Sequence, residues 1–326
     1  MADAAVGLLR EQLIGRRQRL VVAMHEADAA AQLRSLLGDV DAALARMNDG
    51  TFGLCETCHD PIEPGRLLAD PLVRLCLDHL TPSQQTRLER DLELAVRIQQ
   101  GLLPARPFQA GPWTMAYEYR PAHLVSGDYC DVLRGGNDEW YFLLGDVAGK
   151  GVAASMLMTQ LHALFRALVP LGLPLPALVA RASTIFCEST LPTHYATLLS
   201  LRAQPGGAVE VCSAGHLPPV LVHEGRATRI EARGLPVGMF CSADYTTTTV
   251  TMAAGDTLAL YTDGLSETEN AAGEEFGLDR VAEACAAQAG KPPDAVVSDS
   301  LAAIDRFRSG PAADDVTMMV IARRED

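Results

Sequence analysis

The chain has 326 residues, of which 27 are Lys or Arg and 41 are Asp or Glu, so its formal net charge is −14. Hydrophobic residues make up 48% and charged residues 21%, which are globular values and exclude a wholly disordered chain. The negative charge argues against non-specific nucleic-acid binding and against attachment to an anionic membrane through a basic patch. The length predicts about two domains.

The N-terminus and the cysteines predict a cytoplasmic protein. The sequence begins Met-Ala-Asp-Ala-Ala, without the apolar run of a secretory signal. The most apolar stretch, 161–182, is interrupted by Arg166, Pro170, Pro174 and Pro176. We therefore expect two buried helices around a turn rather than a membrane span. Three cysteines lie close together, which indicates a metal site. The other five are expected to be isolated core thiols and not a disulfide framework: Cys130, Cys187, Cys212, Cys241 and Cys285.

Composition divides the chain into three regions, 1–80, 81–104 and 105–326. The first region is rich in Ala, Leu and Arg and then abruptly in Cys, Pro and Gly. Apolar residues at spacings of three, four or seven predict helices at about 4–31 and 32–48. These helices form either a helical hairpin or a longer coiled coil. The last region alternates segments typical of strands and of helices, separated by glycine turns.

The second region is predicted to be one linker helix. Thr81 is the expected N-cap and Pro82 the first helical residue, and the helix extends to about residue 103. An apolar stripe repeats at close to 3.5 residues: Leu88, Leu92, Ala95, Ile98 and Leu102. The stripe indicates either packing on the next domain or a parallel coiled coil that makes a homodimer and transmits a signal.

Four residues in two knuckles predict one structural zinc ion. Cys55 and Cys58 form the first knuckle, and Cys76 and His79 form the second after seventeen intervening residues. Spacing by two residues lets both ligands of a knuckle face one tetrahedral ion. His59 is a competing ligand, although its adjacency to Cys58 makes a shared tetrahedral geometry awkward.

The segment from Asp49-Gly-Thr-Phe-Gly-Leu-Cys to Cys76-Leu-Asp-His79 resembles the DksA/TraR-type zinc finger, which follows a helical coiled coil. That family usually has four cysteines, so His79 departs from its pattern, but a Cys₃His set also binds zinc. The resemblance implies an RNA-polymerase role through acidic residues at the coiled-coil tip, where Asp28 is the candidate. The interpretation that we prefer is a module reused as a sensor or dimerisation unit.

Aspartates lie where predicted strands end or loops begin in the last region. They are Asp128 in Ser-Gly-Asp-Tyr-Cys-Asp, Asp146 in Gly-Asp-Val-Ala-Gly-Lys-Gly, Asp263 in Tyr-Thr-Asp-Gly and Asp314 in Asp-Asp-Val-Thr. One such aspartate is often a cap, but four together indicate hard oxygen donors for Mg²⁺ or Mn²⁺. Two ions about 3.5–4 Å apart can activate a water for in-line phosphoryl displacement without a protein nucleophile. A P-loop is not expected, because Gly151 follows Lys150.

Further motifs accompany these aspartates: Ala95-Val-Arg-Ile-Gln-Gln-Gly-Leu-Leu-Pro104, Ser213-Ala-Gly-His216 and Gly234-Leu-Pro-Val-Gly238. In this order, over 92–326, they resemble the metal-dependent PPM (type-2C-like) serine/threonine phosphatases of the bacterial SpoIIE/RsbU-like branch. The resemblance implies an α+β fold, an αββα sandwich of two antiparallel sheets with metals at one end. It implies that Asp146 bridges two ions, that the Val147 carbonyl binds the second, that Asp263 and Asp314 complete the first, and that Asp128 joins them.

The same resemblance implies a cytoplasmic phosphatase that hydrolyses phosphoserine or phosphothreonine with a water held between two Mn²⁺ or Mg²⁺ ions. The implied substrate is a phosphorylated anti-anti-sigma (STAS-domain) protein in partner switching. The alternative is a DksA/TraR-like transcription regulator that binds RNA polymerase, with the phosphatase fold as a scaffold. His216 is expected to be an exposed structural histidine, with a general acid as the less favoured role.

Overall fold

The computed structural model describes residues 3–26, 30–191 and 193–324, which divide between two units, Met1–Asp91 and Leu92–Asp326. The first unit begins with two helices, α1 (Asp3–Glu26) and α2 (Ala30–Asp49). Two short helical elements and the linker helix come next along the chain, and the second unit holds eleven strands among its described residues.

Helices α1 and α2 pair as an antiparallel hairpin, one of the two arrangements that the sequence left open. Leu13, Val40 and Ala43 are buried between them, and Arg17 Nε lies 2.6 Å from Asp41 Oδ1. At 1.5 Å per residue the helices are roughly 36 and 30 Å long. Asp28, the expected tip residue, lies outside the described residues.

Two short helices, α3 (Pro64–Ala69) and a 3-10 turn (Leu77–His79), precede the linker helix α4 (Pro82–Leu102). The N-cap prediction for Thr81 is confirmed, because Gln84 N donates to Thr81 Oγ1 (3.3 Å) and Thr81 N donates to Gln84 Oε1 (3.0 Å). This reciprocal pair is a capping box. The boundary between the two units falls within α4, between Asp91 and Leu92.

The second unit contains two antiparallel sheets. Its strands are β1 (Phe108–Ala110), β2 (Trp113–Arg120), β3 (Asp128–Arg134), β4 (Trp140–Val147), β5 (Ala196–Ala203), β6 (Ala208–Ala214), β7 (Val220–His223), β8 (Arg226–Arg229), β9 (Thr248–Thr251), β10 (Thr257–Tyr261) and β11 (Val316–Arg323). One sheet has the order β1-β2-β11-β10-β7-β8 and the other β3-β4-β5-β6-β9. Alternating burial along β2 turns Trp113, Met115 and Tyr117 toward the space between the sheets.

Helices cover the outer face of each sheet. They are α5 (Gly151–Leu168), a 3-10 turn (Val169–Leu171), α6 (Leu175–Ser189), α7 (Asp263–Ser266), α8 (Gly277–Ala286) and α9 (Pro293–Phe307). Helices α5 and α6 share a core with the five-stranded sheet, and α8 and α9 with the six-stranded sheet. A third core, with Phe142, Leu199 and Met319, fills the space between the sheets. The expected αββα sandwich is therefore confirmed.

The apolar stretch folds as two helices around a turn, as expected. By length and composition alone, Gly151–Leu171 is the one helix in the described residues that could cross a membrane. Its side chains at Met158, Leu161 and Phe165 are buried against the sheet. Gly172 then adopts φ +64°, a left-handed conformation that ends the turn before α6.

The expectation of isolated core thiols is wrong for two cysteines. Cys187 in α6 and Cys241 in the loop before β9 form a disulfide, with their Cα atoms 5.3 Å apart. Cys241 is exposed and not a core residue. The two positions are 54 residues apart in sequence, so no local pattern reveals the pairing. Cys130, Cys212 and Cys285 are buried free thiols, as expected.

Candidate metal centres

The four predicted zinc ligands lie close together in the first unit. The donor atoms of Cys55, Cys58, Cys76 and His79 all lie within 4.8 Å of one another. Cys58 Sγ is 3.8 Å from Cys76 Sγ, and Cys76 Sγ is 3.2 Å from His79 Nδ1. Zn–S bonds of about 2.3 Å in a tetrahedron place two sulfurs about 3.8 Å apart. The soft donor set and its spacing therefore fit one zinc ion.

Backbone turns and one buried arginine hold this cluster. Cys55 O accepts from His59 N (2.9 Å), and Cys76 O accepts from His79 N (3.1 Å), which closes each knuckle. Arg46 of α2 is 9% exposed, and its guanidinium lies 3.6 Å from Glu56. The carbonyl of Arg46 accepts from Thr51 N, so the helical hairpin and the knuckles are joined. His59 is exposed with φ +61° and is not a member of the cluster.

The predicted aspartates come from both sheets and lie at one end of the sandwich. Asp128 begins β3 and is directly opposite Asp146 of β4. Asp263 follows β10, and Asp314 precedes β11, which pairs with β10. The structure thus brings together sequence segments from four separate motifs. Among the described residues, the donor atoms close enough to hold one metal ion are those of the cysteine–histidine cluster and do not include these aspartates.

Asp128 is buried and joins the two sheets. Its Oδ2 accepts from Thr262 Oγ1 (3.1 Å), directly after β10, and from Thr317 Oγ1 in β11 of the other sheet. Burial, followed by the neighbouring Asp146 carboxylate, raises the pKa of Asp128 well above its usual range. The two hydroxyl groups fix one carboxylate oxygen. Both threonines stand in motifs that the sequence singled out, but no role was assigned to them.

Asp146, Asp263 and Asp314 are partly exposed and act on one another electrostatically. Burial, followed by repulsion from Asp263 and Asp314, raises the pKa of Asp146 to about 7. Burial and then Asp314 also raise the pKa of Asp263. Crowded carboxylates of this kind are stabilised by a cation, and their hard oxygens suit Mg²⁺ or Mn²⁺.

The close approach of backbone atoms to the aspartates also supports a fit to divalent cations. A Cβ on Gly127 would lie 3.0 Å from Val147 O and 3.3 Å from Asp146 Oδ1. A Cβ on Gly264 would lie 2.1 Å from Asp315 O. Any larger side chain would therefore displace the backbone beside the carboxylates. The residues present fit hard divalent cations.

Two further residues, Lys150 and Asp315, lie beside the aspartates. Lys150 Nζ lies 2.9 Å from Asp314 Oδ2 and donates to Ala313 O (2.9 Å), so the loop after β4 reaches the loop before β11. Asp315 accepts from Ala122 N (2.7 Å) and Gly127 N (3.0 Å). The sequence excluded a P-loop role for Lys150 but assigned it no other. A lone lysine among acidic motifs is the signal that would have found it.

The expectation of an exposed His216 is wrong, because the side chain is 9% exposed. Its Nε2 lies 3.1 Å from Tyr261 O, and its Nδ1 lies 2.8 Å from Thr197 Oγ1. A carbonyl only accepts, so Nε2 carries the proton and Nδ1 accepts from the threonine hydroxyl. Burial lowers the pKa of His216 to about 4. A neutral imidazole that is bonded on both sides is not a general acid.

His216 is expected to make the protein acid-sensitive. Its pKa is about 4 when folded, against about 6.5 when unfolded. The stability that it contributes is therefore present above pH 6.5 and is lost as the pH falls toward 4. The free energy of unfolding of wild type should fall relative to His216→Gln by up to about 3 kcal/mol over that range. Urea unfolding of both proteins at pH 7 and pH 4.5 measures the difference, and parallel losses would contradict it.

Gln99 is a buried polar residue that the sequence reasoning missed. Within the second unit, its Nε2 donates to Ser126 O (2.7 Å) and its Oε1 accepts from Ser126 N (3.0 Å). Ser126 precedes Gly127 and Asp128, so the C-terminal part of α4 holds the loop that leads into the aspartate site. A glutamine on the helix face of Ala95 and Leu102 is the signal that could have found it.

Gln99→Ala is expected to lower the free energy of unfolding by roughly 2 kcal/mol, because it leaves two buried backbone groups without partners. Gln100→Ala is the matched control, since Gln100 is the adjacent residue on the same helix and is exposed. Its effect should stay within about 0.5 kcal/mol. Chemical denaturation measures both values, and equal losses would show that the paired hydrogen bonds at Ser126 contribute nothing.

Comparison with known proteins identifies two family models. The model of Stage II sporulation protein E (SpoIIE) matches residues 136–324, more than half of the chain. The model of the prokaryotic dksA/traR C4-type zinc finger matches residues 50–78. The second match ends one residue before His79, the ligand that departs from the four-cysteine pattern.

Three relatives extend these matches. The phosphoserine phosphatase RsbU of Bacillus subtilis (strain 168) is 24% identical over 245 residues, which cover 74% of this chain and 72% of RsbU. Protein IcfG of Synechocystis sp. is 26% identical over 262 residues, or 72% of this chain and 41% of IcfG. The solved RsbU and RsbW domains of Rv1364c from Mycobacterium tuberculosis are 28% identical with a TM-score of 0.59. That match covers 67% of this chain and 61% of the solved chain.

The chain therefore spans less than half the length of IcfG and about three fifths of the solved chain. The SpoIIE match lies within the second unit, which forms the sandwich, and the zinc-finger match covers the three cysteines of the cluster in the first. The chain belongs to the SpoIIE family, with a PPM-type phosphatase domain that follows a DksA/TraR-type zinc finger.

Proposed function

We propose that the chain is a Mn²⁺- or Mg²⁺-dependent protein serine/threonine phosphatase. The observation that carries the proposal is the group Asp146, Asp263 and Asp314, which come from both sheets to one end of the sandwich and are partly exposed. Burial, followed by repulsion from Asp263 and Asp314, raises the pKa of Asp146 to about 7. Divalent cations bound to these carboxylates would relieve the repulsion and stabilise the site. The matched relative RsbU is named a phosphoserine phosphatase, which supports the same reaction class.

Five residues would hold two ions. Asp146 would bridge them, Asp263 and Asp314 would complete the first, the Val147 carbonyl would bind the second, and Asp128 would offer its remaining oxygen. Such ions, when bound, supply Lewis-acid stabilisation of phosphate charge and an activated water. No protein nucleophile is required.

Other side chains of the protein then fix the positions of the aspartates. Thr262 and Thr317 orient the Asp128 carboxylate, and His216 ties β5 to β10 behind Asp146 and Asp263. Lys150 has a side chain that is 51% exposed beside Asp314, so its ammonium group can meet the anionic phosphate as it enters. Electrostatic attraction of this kind favours the doubly charged phosphate monoester.

The finer assignment concerns the substrate and assembly. We propose phosphoserine in an anti-anti-sigma (STAS-domain) protein, acting in the cytoplasm within partner switching. The solved relative joins an RsbU domain to an RsbW domain in one chain, which supports a regulatory pathway of this type. Leu88 and Ile98 of α4 are 41% and 55% exposed, which supports a homodimer through the linker helix.

Hydrolysis of a phosphoserine peptide and of a phosphorylated STAS protein tests the proposal. After EDTA treatment both rates should fall to background, and added Mn²⁺ or Mg²⁺ should restore them. The STAS protein should have the higher kcat/KM. Full hydrolysis in EDTA would overturn the metal-dependent reaction, and equal kcat/KM values would overturn the STAS assignment.

A second candidate function is binding of RNA polymerase. The zinc-finger match at residues 50–78 and the helical hairpin before it favour this candidate. Immobilised protein containing residues 1–326 would then retain purified core polymerase. Retention that is lost on zinc removal would support it, and no retention at micromolar concentrations would exclude it in favour of a sensor or dimerisation module.

A further inference from the structure

The disulfide between Cys187 and Cys241 lies in a part of the second unit that the proposed reaction does not use. Cys187 is in the last turn of α6 and is half-buried, whereas Cys241 is exposed in the loop before β9. The Cα separation of 5.3 Å is within the ordinary range for a disulfide. Small oxidants and reductants therefore reach the bond from the Cys241 side.

The bond fastens a short segment, residues 238–241, to α6. Two hydrogen bonds act at the same place: Gly238 N donates to Ser183 Oγ (3.1 Å), and Thr184 Oγ1 donates to Cys241 O (2.9 Å). A Cβ on Gly238 would meet the Phe186 ring at 2.5 Å, so the segment lies directly on the helix. The disulfide is the covalent part of this attachment.

The fastened segment leads to the aspartate site. Val237 exchanges two backbone hydrogen bonds with Ala196, at 2.9 and 2.8 Å. Ala196 in turn pairs with Val147, which follows Asp146 on β4. The path from Cys241 to Val147 therefore runs along the backbone of 237–241 and then through two backbone pairings, Val237 with Ala196 and Ala196 with Val147.

We propose that Cys187 and Cys241 are a reversible thiol–disulfide site that fixes the wall beside Val147 when oxidised. The oxidant class is a peroxide. The exposed Cys241 thiol reacts with hydrogen peroxide to give a sulfenic acid and water, and Cys187 displaces a second water as the S–S bond forms. Two thiols thus lose two electrons and two protons, and one peroxide becomes two waters.

Disulfides in reducing compartments are usually transient or redox-sensing. Transmission to the cation site rests on the proposed function, but the bond itself does not.

Mass spectrometry and thermal unfolding of the zinc-loaded 1–326 chain test the site. The protein is reduced with a phosphine, desalted and treated with hydrogen peroxide. The oxidised sample should contain the linked Cys187 and Cys241 peptides, the reduced sample should not, and oxidation should raise Tm by roughly 10 °C. Cys187→Ser should lose both effects, whereas Cys212→Ser, which alters a buried free thiol, should keep both. Zinc content is measured in parallel, so that oxidation of the zinc-type cysteines is recognised.

Titration calorimetry with Mn²⁺ tests the transmission. Oxidised wild type should bind Mn²⁺ at least threefold more tightly than reduced wild type, and Cys187→Ser should show no difference between the treatments. No linked peptide after peroxide treatment would overturn the site. A linked peptide with equal Mn²⁺ affinity would overturn the transmission alone. No Mn²⁺ binding in either form would overturn the proposed function and the transmission, while the linked peptide and the Tm shift would still decide the site.

Discussion

Asp146→Asn is expected to lower metal-dependent hydrolysis of p-nitrophenyl phosphate by roughly 10³-fold or more. Asparagine keeps the shape of the side chain but removes the charge that the proposed site places between two cations. It also removes the repulsion from Asp263 and Asp314, so the apo-protein should not lose stability. Rates at saturating Mn²⁺, with Mn²⁺ affinity measured separately, distinguish failed chemistry from failed metal binding.

The matched control is Asp138→Asn, because the Asp138 side chain is 75% exposed and forms a surface ion pair with Arg134. Its rate should stay within about twofold of wild type, since surface ion pairs contribute little. Asp263→Asn should share the loss seen for Asp146→Asn. If both site variants kept wild-type rates, the carboxylate group would not be the active site.

His79→Ala is expected to lower zinc affinity by roughly 10³-fold or more and to unfold residues 50–80. The knuckles have a small core of their own, in which Ile62 and Leu67 join the cysteines, so the metal supplies much of their stability. Atomic absorption measures the zinc content, and hydrogen exchange measures protection of this segment. The phosphatase domain should keep its exchange protection, because its three cores are formed by its own residues.

Two further variants decide which histidine is the ligand. His79→Cys restores a four-cysteine set and should keep one zinc per chain. His59→Asn should also keep zinc, because His59 lies outside the cluster and asparagine tolerates its φ of +61°. Zinc loss in His59→Asn with retention in His79→Ala would reverse the assignment.

Local sequence patterns predicted the elements that are specified by a few neighbouring residues. The Thr81 cap, the helices around the proline turn and the convergence of the two zinc knuckles follow from spacing over a few residues. The αββα sandwich was implied by the family resemblance that several motifs in a fixed order carry. The linker homodimer and the aspartate ligand roles remain predictions.

The remaining features depend on contacts between distant segments. The burial of His216 results from Tyr261 and Thr197, which lie on strands of different sheets. The Cys187–Cys241 pairing likewise needs the loop before β9 to pack on α6. Neither is encoded in a periodic pattern, because each depends on how the layers stack. The hydrogen bonds of Gln99 are of the same kind.

The division of the aspartates between two sheets has a consequence for folding. Asp146 belongs to a sheet of strands β3 to β6 and β9, whereas Asp263 and Asp314 adjoin β10 and β11. Contacts of such large sequence separation form late and slowly. The carboxylates therefore meet only in the finished domain, and a divalent cation that binds them shifts the equilibrium toward the folded chain by mass action. The concentration of free Mn²⁺ or Mg²⁺ would then affect how much folded protein is present as well as how fast it turns over substrate.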